Sequence, residues 1–478
     1  MKLNTRAKKL RYETLAEKIS DKINEGSLLP GDKLPSVRRL SVQEKLSVTT
    51  VLTAYELLEK NDFILAKPQS GYFVKKKREP MPEPKTYQLP AAASFVNIDN
   101  TVSEILSGVN QENIAPFGAA LPSSELLPVN ALNKITGELC RRSDNAPLKY
   151  ESPSGSVKLR RQLSRYGADW GCHLTPHDFI ITGGCTEALS LSLRIAVKPG
   201  GTVAVESPAY YGVLMIIAGL GLKTLELPTH PRDGAILSEL EKHLKKGTID
   251  ACLLAPNFNN PLGSLMPDEN KEKLYGLLKR YDKPLIEDDI YGDLYFTKSR
   301  PLTTKSFDKK GIVLLCSSFT KSIAPGYRIG YTSPGRYKEK LEKLKFMNTG
   351  STNTMGQLII AEYLSRGGYD RHLQKLRQLL FEQIQTAQEL VNRYFPAGTR
   401  VSRPQGGLVL WLELSAGTNA FALYKRALKE NISFIPGHIF SNTTNYRHCL
   451  RISCGALWSE KNRAAFAKLG DLAKEILK

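Results

Sequence analysis

The chain has 478 residues, of which 41% are apolar and 24% charged, too many for one ordinary core and apolar enough to bury more than one. Its formal net charge of +20 favours polyanionic partners or phosphate-bearing ligands, and seven cysteines without a Cys-x-x-Cys pair or a histidine cluster suggest neither a disulfide framework nor a metal site. No run of eighteen apolar residues occurs and Met1 to Arg6 lack an apolar signal region, so a membrane-spanning or secreted chain is disfavoured and a soluble cytoplasmic one expected.

Within residues 12–25, Leu15, Ile19 and Ile23 recur every four positions, the stripe of an amphipathic helix that Gly26 ends. Pro35 and Ser36 open a second short helix, capped by Ser36 and turning Val37 and Leu40 inward. Ser47 precedes a third, whose buried face is Val51, Ala54, Tyr55 and Leu58. Thr49, Thr50 and Thr53 then point away, short polar side chains suited to a DNA groove. After Asn61-Asp62, the runs Phe63-Ile64-Leu65-Ala66 and Gly71-Tyr72-Phe73-Val74, joined by Lys67-Pro68-Gln69-Ser70, read as a hairpin or wing. The order is that of a winged helix-turn-helix, although short three-helix modules also bind proteins. Arg38 and Arg39 form either a solvated helix face or a phosphate contact.

Residues 75–85 combine a basic run with alternating proline and no apolar period, the composition of an extended, semi-rigid tether. Its lysines either reach DNA phosphate or keep the segment soluble. Packed structure is expected to resume between residues 95 and 114.

From about residue 115, helical patterns alternate with short apolar runs, which indicates a largely parallel sheet covered on both faces, with ligands at the strand ends. Phe179-Ile180-Ile181 leads into Thr182-Gly183-Gly184-Cys185, where glycines open a helix whose free N–H groups suit a phosphate, or merely make a tight turn. Thr202-Val203-Ala204-Val205 leads to Tyr210 and Tyr211, an aromatic face for a planar ring, or core. Ala251-Cys252-Leu253-Leu254 leads to Asn260, locked before Pro261. Pro284-Leu285-Ile286 leads to Asp288, a carboxylate able to keep a pyridine nitrogen protonated, with Tyr291 three residues on. Ile312-Val313-Leu314-Leu315 leads to Lys321, with the Ser318 hydroxyl before it and the Arg328 guanidinium after it. An amine there loses its proton by desolvation and attacks a carbonyl, while hydroxyl and guanidinium hold an anion; pyridoxal 5'-phosphate requires that set. Each signal alone is weak, and their order makes them specific.

Two resemblances follow. Leu34-Pro35-Ser36-Val37-Arg38-Arg39-Leu40, Thr50-Val51 and the Gln69-to-Val74 wing resemble the GntR-type DNA-binding domain. That resemblance implies phosphate contacts from Ser36 and Arg38, a groove-reading third helix bearing Thr49, Thr50 and Thr53, and Gly71 near the DNA backbone. Relatives often carry arginine where this chain has Val48, and valine cannot make a bidentate guanine contact. Ser317-Ser318-Phe319-Thr320-Lys321, with Arg328 beyond it, resembles the lysine motif of fold-type I aminotransferases of the alpha-aminoadipate and kynurenine aminotransferase-like branch, and the whole chain resembles the MocR subfamily of transcriptional regulators.

This second resemblance implies Lys321 as the Schiff-base lysine and Gly184, Cys185, Tyr210, Asn260, Asp288, Tyr291, Ser318 and Arg328 around the cofactor. It also implies Tyr150 reaching the neighbouring subunit's cofactor in a homodimer, packed head to tail, and Arg451 forking onto a substrate carboxylate. Ala120 stands where many aminotransferases have glycine, and its bulk makes full transamination less expected than cofactor binding. The expected fold is α/β: a winged helix-turn-helix over 9–77, a linker over 78–112 and an aminotransferase-like domain over 113–478. The last divides into a large part, about 113–345, with a mixed, mostly parallel sheet, and a small C-terminal α+β part, about 346–478. The expected function is regulation of operator DNA by a domain that senses pyridoxal 5'-phosphate, or an amine or amino acid, through Schiff-base exchange at Lys321. The alternative is an aminotransferase with an attached DNA-binding head.

Overall fold

The computed structural model describes residues 10–60, 63–67, 70–75, 81–96, 102, 104–105, 107, 113–141 and 149–476. They form two compact units that divide between Pro80 and Met81.

The first unit holds helices α1 (Arg11–Asn24), α2 (Val37–Glu44) and α3 (Val48–Lys60), followed by strands β1 (Ile64–Lys67) and β2 (Gly71–Val74). Leu15, Ile19, Leu40, Val51, Ala54, Tyr55 and Leu58 meet in one core, so the three stripes read from the sequence face one another. Ser36 caps α2 by accepting a hydrogen bond from the Arg39 N–H at 3.3 Å, and Ser47 accepts from the Thr50 N–H at 3.1 Å. Between them Lys45 takes a left-handed turn, with φ 53°. The antiparallel wing pairs Ile64 with Val74 and Lys67 with Gly71. Tyr55 ties α3 to both neighbours: its hydroxyl donates to the Pro35 carbonyl at 2.7 Å, and its ring lies 4.7 Å from that of Tyr72. This is a winged helix-turn-helix; Asn61, Asp62, Pro68, Gln69 and linker residues 76–80 fall outside the described residues.

In the second unit the main sheet contains β3 (Ser94–Phe95), β4 (Ile180–Thr182), β5 (Thr202–Ser207), β6 (Lys223–His230), β7 (Ala251–Leu254), β8 (Leu285–Asp288), β9 (Val313–Ser318) and β10 (Gly330–Ser333). Their spatial order is β3-β6-β5-β7-β8-β9-β10-β4. The five central strands run parallel, and β10 is antiparallel to both its neighbours. Every residue of β5, β7, β8 and β9 is buried, which is why those stretches read as unbroken apolar runs. Helix α4 (Cys185–Ala196) starts where β4 ends. A second, antiparallel sheet places β11 (Arg400–Val401), β12 (Val409–Glu413), β14 (Cys449–Ser453) and β13 (Ile435–Pro436) side by side in that order.

Two sequence-based expectations are corrected. Ordered packing resumes at Met81, not between 95 and 114. The Pro82 carbonyl accepts from the Val401 N–H at 2.9 Å and the Glu83 carbonyl from Arg400 at 2.9 Å, while the Glu83 carboxylate pairs with Arg232 at 2.7 Å. Further along, the Lys85 N–H donates to Glu413 at 2.8 Å and the Tyr87 hydroxyl pairs with His448 Nε2 at 3.0 Å. Alternating proline removes N–H groups but leaves carbonyls free to accept, so a segment with no apolar period still lies along β11 as a strap.

The small part also does not simply begin at 346. The helix Thr354–Ser365 and the first half of α5 (Gly368–Tyr394) bury Leu358, Ile360, Leu373 and Leu380 in the same core as Leu159, Leu163 and Phe179. Conversely Val102, Ile105, Ala115 and Phe117 pack with Trp411, Tyr424, Ile452 and Phe466 in the core of the small part.

Candidate functional site

Strands β5, β7, β8 and β9 end around one cavity of about 290 Å³. Cys185, Tyr210, Tyr211, Asn260, Asp288, Tyr291, Lys321, Arg328 and Arg451 all line it, with the Ala119-Ala120-Leu121 segment and the unforeseen Thr186, Asn259, Glu206 and Thr320. Lys321 closes the single-turn helix Phe319–Lys321 that follows β9, and its Nζ donates to the Ala120 carbonyl at 2.7 Å, 5.8 Å from the centre of the Tyr291 ring. Burial, reinforced by the positive charge of Arg451 and opposed by Asp288, lowers the pKa of this amine to about 8. Asp288 ends β8, where its Oδ1 accepts from the Ile290 N–H at 3.2 Å and from the Cys185 thiol at 3.6 Å. Burial raises its pKa to about 6.

At the end of β4, Gly184 has φ +90°, and a Cβ there would sit 2.7 Å from Arg328 Nη2. The positive φ favours glycine here, and the Arg328 guanidinium packs directly over it. Arg328 in turn donates from Nη2 to the Gly183 carbonyl at 3.4 Å. A Cβ on Gly330 would run into the Gly184 carbonyl carbon and lie 2.8 Å from the Cys185 nitrogen, so β10 passes directly against the start of α4. The first residues of α4, Cys185 and Thr186, line the cavity together with Arg328, and a helix start beside a guanidinium suits an anion.

Arg451, 1% exposed, donates to the Gly118 carbonyl, and its Nε has no partner. Asn260 Oδ1 is likewise buried without a partner. Tyr210 and Tyr211 lie with ring centres 4.7 Å apart, so both reach the cavity wall rather than one of them being core.

Three expected residues are not part of the lining. Gly184 sits behind Arg328. Ser318 is buried at the end of β9, its hydroxyl accepting from the Thr320 N–H at 3.4 Å. Tyr150 is 99% exposed. Glu206 had no sequence signal: its Oε2 accepts from the Ala255 N–H and from Asn259 Nδ2, each at 2.8 Å, so it fixes the loop carrying Asn260 across the sheet. Burial raises its pKa to about 7.

The residues present fit pyridoxal 5'-phosphate. A cup that a Cβ would fill, a buried amine lowered toward neutrality, a buried carboxylate facing the same cavity and the orphaned Asn260 Oδ1 and Arg451 Nε supply a partner for each polar end of such a molecule.

On the first unit, Ser36, Arg38, Thr49 and Gly71 are exposed, and Thr50 and Thr53 half-buried. The Thr50 hydroxyl bonds that of Ser47 at 2.7 Å, and the Thr53 hydroxyl donates to the Thr49 carbonyl at 3.0 Å. Gly71 has φ +94° at the wing's tip. Among the described residues no helix is long and apolar enough to cross a membrane.

The family model for aminotransferase class I and II matches residues 124–469, and that for bacterial regulatory proteins of the gntR family matches residues 11–74. The HTH-type transcriptional regulators YdcR and YjiR of Escherichia coli (strain K12) are 36% and 37% identical. The alignments span 98% of this chain and 100% of YdcR, and 96% of this chain and 98% of YjiR. Among solved structures, the alpha-aminoadipate aminotransferase LysN of Thermus thermophilus, complexed with N-(5'-phosphopyridoxyl)-L-leucine, is 27% identical with a TM-score of 0.74. The Pyrococcus horikoshii kynurenine aminotransferase is 26% identical with a TM-score of 0.74. Each superposition covers 80% of this chain and 96% of the other.

Proposed function

Since the chain belongs to the aminotransferase class I and II family and carries a gntR-family head, we propose that it is a DNA-binding transcriptional regulator whose second unit holds pyridoxal 5'-phosphate and senses an amine or amino acid. The observation that carries this reading is the fusion itself: a winged helix-turn-helix on the same chain as a strand-end cavity holding Lys321, Asp288 and Arg451. A metabolic enzyme has no need of the first, and a simple DNA-binding protein none of the second.

When bound, pyridoxal 5'-phosphate supplies an aldehyde that condenses with amines and a ring that withdraws electrons. In this assignment Lys321, whose amine is partly neutral near pH 7, would hold the cofactor by its aldehyde, which an effector amine would compete for. Asp288 keeps a proton on the ring nitrogen, and Asn260 and Tyr291 bind the phenolic oxygen. Tyr210 covers one ring face. The Gly184-Cys185 turn, Ser318 and Arg328 hold the phosphate, and Arg451 takes an effector carboxylate by its planar fork. Full exposure of Tyr150 supports its reaching the cofactor of a second copy, in a homodimer packed head to tail.

Ser36, Arg38, α3 with Thr49, Thr50 and Thr53, and the wing at Gly71 address operator DNA. An effector shifts the equilibrium only through different affinity for two states, and replacement of Lys321 at the cofactor supplies that difference. The test is the operator affinity of the cofactor-loaded chain, titrated with a panel of amino acids and amines, beside Lys321→Ala. The expected result is that at least one compound moves the affinity of the native chain and none moves that of the variant. Fast multiple turnover of an amino acid and an oxo acid with no DNA binding would replace the regulator by the enzyme.

A further inference from the structure

The exposed surface of α3 includes two large apolar side chains where a base-reading helix is usually polar. Val48, the first residue of α3, is 49% exposed, and Leu52, one turn further on, is 38% exposed. Positions i and i+4 of a helix share a face, so the two form one apolar strip beside the exposed Thr49. Both stay exposed at the flank of the helix's buried stripe of Val51, Ala54, Tyr55 and Leu58, and among the described residues of the unit neither belongs to its core.

The residues of the first two turns, Ser47-Val48-Thr49-Thr50-Val51-Leu52-Thr53, include no arginine, lysine, asparagine or glutamine. Those are the side chains that pair bidentately with guanine or adenine in the major groove. Three of the four hydroxyls nearby are engaged as well. Ser47 and Thr50 bond each other at 2.7 Å, and Thr53 is turned back onto the Thr49 carbonyl at 3.0 Å. Beside the exposed Thr49, what these turns offer to distinguish one base pair from another is apolar contact, and the major groove presents one apolar group, the C5-methyl of thymine. Cations sit around the strip rather than on it: Arg38 and Arg39 are exposed on α2 and Lys45 on the turn that follows. These suit phosphate, which carries no sequence.

We propose that Val48 and Leu52 read thymine methyl groups, so that each operator half-site carries A·T pairs opposite the first two turns of α3, recognised there by methyl contact. The inference rests on the reading of the first unit as a DNA reader and adds the chemistry by which it selects sequence. Val48 and Leu52 lie about 6 Å apart along the helix, roughly two base-pair steps, so the methyls are close neighbours in one half-site.

The test uses the full chain and a random duplex library. The enriched duplex is resynthesised with deoxyuridine, which pairs as thymine does but lacks the methyl, at one thymine at a time, and Kd is measured by fluorescence anisotropy. Expected is a loss of about fourfold at one or two positions per half-site, the effect of unburying one methyl group, and no loss elsewhere. Val48→Ala removes the sensitivity at one of those positions, and Val48→Arg shifts the selected pair there toward G·C. If a sequence is enriched yet every deoxyuridine duplex binds within about twofold of the parent, the strip has another occupant and the proposal is overturned. If no duplex is enriched or retained at all, it is the DNA-reading assignment of the unit that fails.

Discussion

At Lys321, beyond the end of β9, three influences act on one amine. Burial and Arg451 push its pKa down while Asp288 pulls it up, and the balance stands at about 8. Because the neutral form is the nucleophile, about a tenth of the amine is reactive at pH 7, against almost none for an ordinary lysine. The capture rate of added pyridoxal 5'-phosphate by the cofactor-free chain, followed in stopped flow, is therefore expected to climb with pH and level off above about 8. Arg451→Met removes a lowering charge and moves that midpoint up; Asp288→Asn removes a raising one and moves it down. A midpoint indifferent to both would leave burial as the sole cause. Lys321 and Asp288 were legible in the sequence because each stands at or just beyond the end of an apolar run, and Arg328 because it follows Lys321 at the spacing of the lysine motif. Glu206 was not, because its partners, Ala255 and Asn259, lie on the neighbouring strand's loop and only the sheet brings them together.

Elements carry the site by where they stop. The end of β4, the start of α4 and the crossing of β10 leave one backbone-sized gap, and Gly330 fills it without a side chain. Gly330→Ala places a methyl against backbone that has no flexible end to yield. It is expected to cost about 1–3 kcal/mol in urea unfolding and to loosen cofactor retention, while a substitution at the open Gly219 does neither. Unchanged stability would mean that β10 and α4 separate more easily than their contacts suggest. Helix stripes, the Ser36 and Ser47 caps and the hairpin wing were readable, since period and capping chemistry are local. The strap from Met81 to Tyr87 and the sharing of residues 354–380 with the large core were not. The first is held by carbonyls and side chains that follow no period, and the second by long-range burial of stripes that look alike wherever they pack.

For the whole molecule, the fusion sets what each unit must do. In the proposed reading, exposed Arg38 on α2 contributes phosphate contacts that release counterions. Log Kd for the operator is expected to weaken linearly with log salt, and Arg38→Ala to lower the slope by about 1 with little change in preferred sequence. A slope equal to that of the native chain would remove Arg38 from the phosphate contacts. The second unit gives that affinity something to respond to only if Lys321 carries the cofactor. Reduction of the loaded chain with borohydride, followed by digestion and mass measurement, tests this most directly. The expected result is a phosphopyridoxyl mass on the peptide containing Lys321 and none on the Lys321→Ala chain. No trapped cofactor, or the same mass retained elsewhere in the variant, would contradict the account.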